Sequence, residues 1–380
     1  MSEWQETTLG ELITLQRGHD LAKTEMQIGG IPVAGSNGVI GYHNKATTKG
    51  IGITIGRSGN IGNAYLYKKD FWAHNTTLYV KDFKGNDEVF VYYLLKSIDF
   101  GGFNVGSAVP TLNRNHIHPM VIQKPEVSEQ KAIASVLSSL DDKIDLLHRQ
   151  NTTLERMAET LFRQWFVEEA QEDWEELPLG EVATVQNGYA FSSSDYVDFQ
   201  EDFLEVFKMG HIQPGGGLRF APKADFVPRS DKLKRWVLNK NDIVMAMTDM
   251  KDNMGILGHP ALIDISDKYA LNQRVARIYL ESSNKLCSIY LLYLQLSTEE
   301  AISLLQSKAN SGVQVNLTTE AIKSIPITIP PALIQNRVLK TIQPIFEKLN
   351  INRTQIQTLE KLRDNLLPKL MSGEMRINLV

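Results

Sequence analysis

Residues 128–167 read SEQKAIASVLSSLDDKIDLLHRQNTTLERMAETLFRQWFV. Stepping alternately four and three residues from Ile133 gives Ile133, Leu137, Leu140, Ile144, Leu147, Asn151, Leu154, Ala158, Leu161 and Trp165. This spacing, with a single polar interruption at Asn151, is that of a long helix presenting a narrow apolar seam to another helix. At 1.5 Å per residue the seam extends about 50 Å, more than a compact domain needs to cross its own core. The seam returns 205 residues later, without a gap, as Val338, Ile342, Ile345, Leu349, Asn352, Ile356, Leu359, Arg363, Leu366 and Leu370. The expectation is two long helices that pair as an antiparallel coiled coil. Ser128 is the expected N-cap of the first, and Pro344 is expected to kink the second or to mark where its continuous part begins.

The repeat extends beyond the helices. Leu112 and Leu317, Ile117 and Ile322, Pro125 and Pro330, Gln130 and Gln335, and the Leu-Glu pairs at 154 and 359 keep the offset of 205. Further upstream, Leu9-Gly10-Glu11-Leu12 with Gly18 matches Leu179-Gly180-Glu181-Val182 with Gly188 at an offset of 170, so the halves differ by 35 residues of insertion. A duplicated chain with constant helices and divergent globular parts implies one task performed on two different objects. The boundaries read as 1–125 (first globular part), 126–176 (first long helix), 177–330 (second globular part) and 331–380 (second long helix and tail). The first globular part opens with a short helical start at 9–13. It continues with β-type runs at 52–55, 64–67 and 76–80 and a helix at 89–98, which makes it mixed α/β.

Charge is unevenly divided. The net charge of −4 hides an acidic first helix, with 5 Lys/Arg against 13 Asp/Glu in residues 126–176, and a basic second one, with 8 against 4 in residues 331–380. Opposite charge on helices of matched seam length favours their pairing with each other. No apolar run approaches the ~20 residues of a membrane span, and Met1-Ser2-Glu3-Trp4 lacks the features of a signal peptide. Cys287 is the only cysteine, which excludes intrachain disulfides and fits a reducing, cytoplasmic setting. Its leucine-rich context makes it an expected core residue.

The globular parts carry polar loops whose side chains suit base edges and phosphates. In the first these are Ser36, Asn37, His43, Lys45, Arg57, Ser58, Asn60, His74 and Asn75. In the second they are Arg219, Arg229, Lys232, Lys234, Arg235, Thr248, Lys251, Asn253, Asn272 and Arg274, the densest basic cluster lying beside Trp236. The run Gly56-Arg57-Ser58-Gly59-Asn60-Ile61-Gly62 is a weak phosphate-cradle signal, because strand–GxGxxG–helix order is missing. Catalytic signatures are also missing. There is no GxxxxGK[ST] loop and no Cys/His ligand cluster, and His116-Ile117-His118 reads as a strand end. Glu129-Gln130-Lys131 and Asp141-Asp142-Lys143 have nuclease-like spacing but lie on the heptad helix. The chain reads as a binder without catalytic groups, metal or cofactor of its own.

The duplication resembles the DNA-specificity subunit of type I restriction–modification systems. The residues that carry the resemblance are the two Leu-Gly-Glu starts, Ser128-Glu129-Gln130-Lys131-Ala132-Ile133-Ala134, and Leu366-Leu367-Pro368-Lys369-Leu370-Met371-Ser372-Gly373-Glu374-Met375. The resemblance implies two α/β target-recognition domains joined by an antiparallel helical spacer, reading a bipartite, asymmetric target in double-stranded DNA. It also implies partners: two modification subunits using S-adenosylmethionine, and restriction subunits using ATP and Mg2+. A specificity chain of a type IIB-like system and a coiled-coil protein adaptor are the alternative readings. Replacing Leu140 and Leu147 with Asp should break helix pairing and abolish both half-site readings together. Methylation mapping that found full sequence specificity in that variant would overturn the pairing.

Overall fold

The computed structural model describes residues 4–103, 111–171, 173–219, 222–251, 254–281, 285–310, 312 and 314–377. The chain divides into two compact units, Met1–Leu147 with Gln355–Val380, and His148–Thr354. Each unit therefore contains part of both long helices.

In the first unit the strands are β1 (Gln5–Thr8), β2 (Thr14–Arg17), β3 (Ile31–Gly35), β4 (Gly38–His43), β5 (Gly52–Gly56), β6 (Ala64–Tyr67), β7 (Trp72–Ala73), β8 (Thr77–Asp82) and β9 (Val121–Lys124). They form an antiparallel sheet β2-β8-β5-β6, a second sheet β4-β3-β7 in which β3 and β7 are parallel, and the antiparallel pair β1-β9. The second unit has β10 (Glu175–Pro178), β11 (Thr184–Asn187), β12 (Leu204–Phe207), β13 (Phe226–Val227), β14 (Ile243–Ala246), β15 (Thr248–Met250), β16 (Pro260–Leu262), β17 (Tyr269–Leu271), β18 (Val275–Tyr279), β19 (Gln314–Asn316) and β20 (Pro326–Ile329). Its sheets repeat the first unit's orders as β11-β18-β14-β16, β13-β12-β17 and β10-β20, with one further pair, β15-β19. The strand runs and the helix Glu88–Ser97 match the sequence expectation to within two residues.

One shared detail fixes how the two sheets of each unit meet. Gly18 follows β2 so closely against the 74 backbone that an added Cβ would stand 2.1 Å from the His74 carbonyl oxygen. Gly188 meets the Asn272 carbonyl oxygen at the same 2.1 Å. Any side chain there would push the two backbones apart, so glycine is required by contact.

The first long helix spans Val127–Arg163 and passes into a π-helical turn, Gln164–Glu168. Ser128 thus lies inside the first turn and is not the cap. Beyond Ala158, which keeps its seam position, the buried stripe moves one position off the expected seam, to Phe162 and Phe166, leaving Leu161 and Trp165 half-buried. Phe162 and Phe166 stack at 4.6 Å. The second long helix is Ala332–Met371 and runs through Pro344. Pro344 sits on the exposed face, where the Lys340 carbonyl that loses its amide partner can be hydrated, so the ring does not mark a helix start. Seam residues Ile133, Leu137, Ile144, Leu147, Val338, Ile342, Ile345, Leu349 and Ile356 are buried, whereas Leu140, Leu154, Leu359 and Leu366 are half-buried.

Each globular core is completed by both helices. In the first unit Ile133, Leu137, Leu367, Leu370 and Met371 join Leu9, Ile53, Leu78, Phe90 and Leu95. In the second, Ala158, Phe162, Val338, Ile342 and Phe346 join Leu179, Ile243, Ile278, Leu292 and Ile327. A buried glutamine pins the start of each long helix. Gln130 accepts from the Asp87 amide at 3.0 Å and donates to the carbonyl oxygens of Pro125 and Asn86's side chain, each at 3.0 Å. Gln335 accepts from the Cys287 amide at 2.8 Å and donates to the Pro330 and Lys285 carbonyls at 2.8 and 3.1 Å.

Two expectations are corrected here. Cys287 is exposed, because only its amide faces inward, toward Gln335. The segment holding His116 and His118 is a short helix, Arg114–Ile117, capped by Asn113, with His118 Nε2 accepting from the Leu15 amide at 3.2 Å.

Gln335→Ala should lower unfolding free energy by about 1–3 kcal/mol, read as a lower urea midpoint at unchanged slope, because buried groups lose their partners. Gly188→Ala should cost about 1–3 kcal/mol through overpacking. Gly210→Ala, which would meet nothing within 4 Å, should stay within about 0.5 kcal/mol.

Candidate nucleic-acid interface

The contact at Gly18 and Gly188 places one polar loop at the same position in both units. In the first unit the His74 amide donates to the Ala34 carbonyl (3.0 Å), the Arg57 amide to Thr76 (2.8 Å), and the Leu112 amide to Arg57 (2.8 Å). In the second, Asn272 donates to Phe207 (3.1 Å), Met247 to Arg274 (3.0 Å), and Leu317 to Met247 (2.7 Å). Residues 74–76 and 272–274 are therefore one structural position occurring twice, with different side chains at each occurrence.

In the first unit the structure gathers Arg57, Ser58, His74 and Asn75 around this loop. Arg57 Nη1 donates to the Asn75 carbonyl at 3.2 Å, and His74 is held between Thr76 Oγ1 (3.0 Å) and the Leu21 carbonyl (3.2 Å). The Asn75 amide donates to Asp20 and, with Arg17 2.9 Å from the same carboxylate, keeps Asp20 below the usual carboxylate range. Arg17, His19 and Asp20 thus join the cluster, although the sequence reading passed over them. Ser36 and Asn37 form the turn between β3 and β4, and Lys45 and Asn60 are exposed. His43 is buried: Nδ1 accepts from the Gln27 amide at 3.0 Å, and the ring stands edge-on to Trp72 at 5.2 Å. The amides of Gly56, Arg57, Ser58 and Gly62 all donate to backbone carbonyls and are not free to hold a phosphate.

The second unit surrounds its loop with aromatic rings and cations. Tyr189 meets Trp236 at 5.0 Å and Phe191 at 4.9 Å, both edge-on. Lys232 Nζ lies 4.7 Å over Tyr189, and Arg235 lies 4.8 Å over Trp236. Lys208, absent from the sequence reading, sits 4.0 Å over Tyr196 and 2.7 Å from Asp225. Burial alone would lower its ammonium, but these partners hold it above its ordinary value. Arg274 is exposed, as is its neighbour Gln273.

Other candidates are engaged elsewhere. Arg229 is bound to Asp267 at 2.8 Å and to the Asp202 carbonyl at 3.1 Å, and Lys234 pairs with Asp231 at 2.7 Å. Thr248 is buried and donates to Asn316 at 2.9 Å, while buried Asn272 caps the Arg274 amide at 3.2 Å. Arg219 and Lys251 are exposed, and Asn253 lies outside the described residues. Among the described residues no group of His, Cys, Asp and Glu could hold a metal ion, and no helix is long and apolar enough to cross a membrane.

The carboxylates with nuclease-like spacing are spent on structure. Glu129 Oε2 receives Arg376 Nη2 at 2.7 Å, and Asp141 receives Tyr93 Oη at 2.7 Å and Arg363 Nη1 at 2.8 Å.

Comparison with known proteins agrees with this duplicated arrangement. The chain is 26% identical over 341 residues to the MjaVIII type I restriction enzyme specificity subunit of Methanocaldococcus jannaschii, covering 84% of this chain and 77% of that one. It is 22% identical over 332 residues to the HindI type I restriction enzyme specificity subunit of Haemophilus influenzae, covering 70% and 71%. The crystal structure of a type I restriction–modification S subunit from M. genitalium shares the fold, with a TM-score of 0.58 at 18% identity, covering 99% of this chain and 97% of that one. The sequence pattern of the Type I restriction modification DNA specificity domain matches residues 1–156 and 171–361, and the chain belongs to that family.

Proposed function

We propose that this chain is the sequence-reading subunit of a type I restriction–modification complex and that each of its two units reads one half of a bipartite DNA target. The observation that carries the reading is the loop at 74–76 and 272–274, held by the same backbone hydrogen bonds but carrying half-buried His, Asn and Thr in one unit and exposed Gln and Arg beside a buried Asn in the other. Equal scaffolds with unlike polar side chains read unlike sequences, so the target is asymmetric.

The long helices pair as an antiparallel coiled coil. Support comes from within each unit. In the first, Glu129 meets Arg376 and Asp141 meets Arg363, while Ile144 and Leu147 cluster with Ile356 and Leu359. In the second, Asn352 Nδ2 donates to Asn151 Oδ1 at 2.9 Å and Arg353 meets Glu155 at 3.2 Å. In the first unit numbers rise along one helix as they fall along the other, from Glu129 with Arg376 to Asp141 with Arg363. The two seam asparagines, which antiparallel pairing did not require to meet, do so, and Arg363 finds its seam partner in Asp141.

The chemistry belongs to partner subunits in this reading. Two modification subunits methylate adenine from S-adenosylmethionine after taking the base from the stack, and restriction subunits use ATP and Mg2+. This chain supplies the address.

A genome-wide map of N6-methyladenine, in a cell carrying this chain with its modification subunit and in a deletion of this chain, tests the proposal. A split, asymmetric motif that vanishes in the deletion is expected. Unchanged methylation would overturn it.

A further inference from the structure

Arg57 and Arg274 occupy the two sides of one repeated backbone hydrogen bond. The Arg57 amide donates to Thr76 in the first unit, and the Met247 amide donates to Arg274 in the second, so the first unit carries its arginine on the donor residue and the second on the acceptor residue. Each unit thus carries an arginine on one of the two residues that this hydrogen bond joins, on opposite sides of it. No constant sequence offset relates the two.

Lys45, Arg219 and Lys251 are exposed but lie off this hydrogen bond, and several other described cations of the two units are already occupied. Carboxylates hold Arg17, Lys208, Arg229, Lys234 and Arg277, and Lys232 and Arg235 lie over aromatic rings. Arg274 is exposed and its side chain has no hydrogen-bond or ion-pair partner among the described residues. Arg57 is half-buried and spends one N–H on the Asn75 carbonyl at 3.2 Å, which aims the group while leaving the rest of its five-donor fork available. An unneutralised guanidinium beside polar loop residues matches the O6 and N7 acceptors of guanine in the major groove.

We propose that Arg57 and Arg274 are specificity-determining residues, each reading one guanine by bidentate hydrogen bonding, one in each half of the target. The assignment rests on the reading under Proposed function and narrows it to two side chains. It requires at least one G·C pair in each half-motif.

The test maps N6-methyladenine in cells carrying the modification subunit with the native chain, with Arg57→Ala, or with Arg274→Ala. Each variant should relax a single G·C position, in opposite halves, with preference at that position falling about 10- to 100-fold and the other half unchanged. If the native chain gives a split motif but a variant keeps every position, at whatever level of methylation, the assignment fails and the bipartite reading stands. A half-motif without a G·C pair overturns it likewise. If the native chain gives no split motif, the underlying reading fails. Where an alanine variant leaves no methylation, Arg57→Lys and Arg274→Lys decide. Lysine keeps charge and length but not the fork, so a relaxed position supports the assignment and an intact motif overturns it.

Discussion

The buried amide at the start of each long helix constrains everything else in its unit. Gln130 and Gln335 are almost wholly enclosed, and each bridges the long helix, the strand that precedes it and the turn that opens a globular helix. Asp87, whose amide feeds Gln130, also caps the helix Glu88–Ser97 through Val89 and Phe90. Ser288 does the same for Ile289–Leu296, one residue after the amide that feeds Gln335. An unpaired amide in either place would cost about 1–3 kcal/mol per stranded group, so the helix and the globular part are fixed in one mutual orientation. The sheets inherit that orientation, and with them the loops that carry the candidate readers.

Polar groups along the helices act by restriction more than by affinity. A seam of leucine and isoleucine alone tolerates a slip of one heptad, because each apolar residue would find an equivalent hole. Asn352 Nδ2 donates to Asn151 Oδ1 at 2.9 Å while Asn352 Oδ1 stays buried without a partner, the arrangement that would select one alignment in the pairing proposed above. Glu155 with Arg353 and Asp141 with Arg363 flank the same seam with charges of opposite sign. Burial raises the Glu155 carboxyl despite its arginine, as expected for a pair desolvated in the interface. The acidic and basic balance seen in the two helical segments of the sequence has its structural counterpart in these pairs.

Much of this was legible in the sequence because it is periodic. The heptad seam, the offset of 205 and the Leu-Gly-Glu starts depend on local spacing, and the seam located both long helices. What escaped depends on contacts between distant residues. His74 and Asn75, and Asn272 and Arg274, read as polar loop residues, yet the equivalence of their loops is invisible in the sequence, since insertions on both sides give them an offset matching neither 170 nor 205. His43 and Thr248 have the composition of readers but are buried, and Arg229 is held by Asp202 and Asp267, more than twenty residues away on either side. The buried stripe moves from Leu161 and Trp165 to Phe162 and Phe166 as the helix approaches and enters its π turn at Gln164–Glu168, a change that a fixed 4-3 count does not anticipate. Cys287 was misplaced because its exposure follows from Gln335 claiming its amide, 48 residues downstream.

The distribution of neutralised cations gives the charge argument its final step. A net charge of −4 would oppose DNA if it were spread evenly over the surface. It is not, because arginines along the second helix face carboxylates of the first, and several loop cations are matched by Asp at 2.7–2.9 Å. Exposed pairs of this kind contribute little stability, about 0–1 kcal/mol, but they remove those cations from competition for phosphate. The positive groups left without a carboxylate include Arg57, Arg274 and the ring-stacked Lys232 and Arg235, all in the globular parts. Lys45, Arg219 and Lys251 are also exposed without a carboxylate partner among the described residues, so a negative net charge leaves cations on the globular parts for phosphate while the loops carry groups suited to base edges.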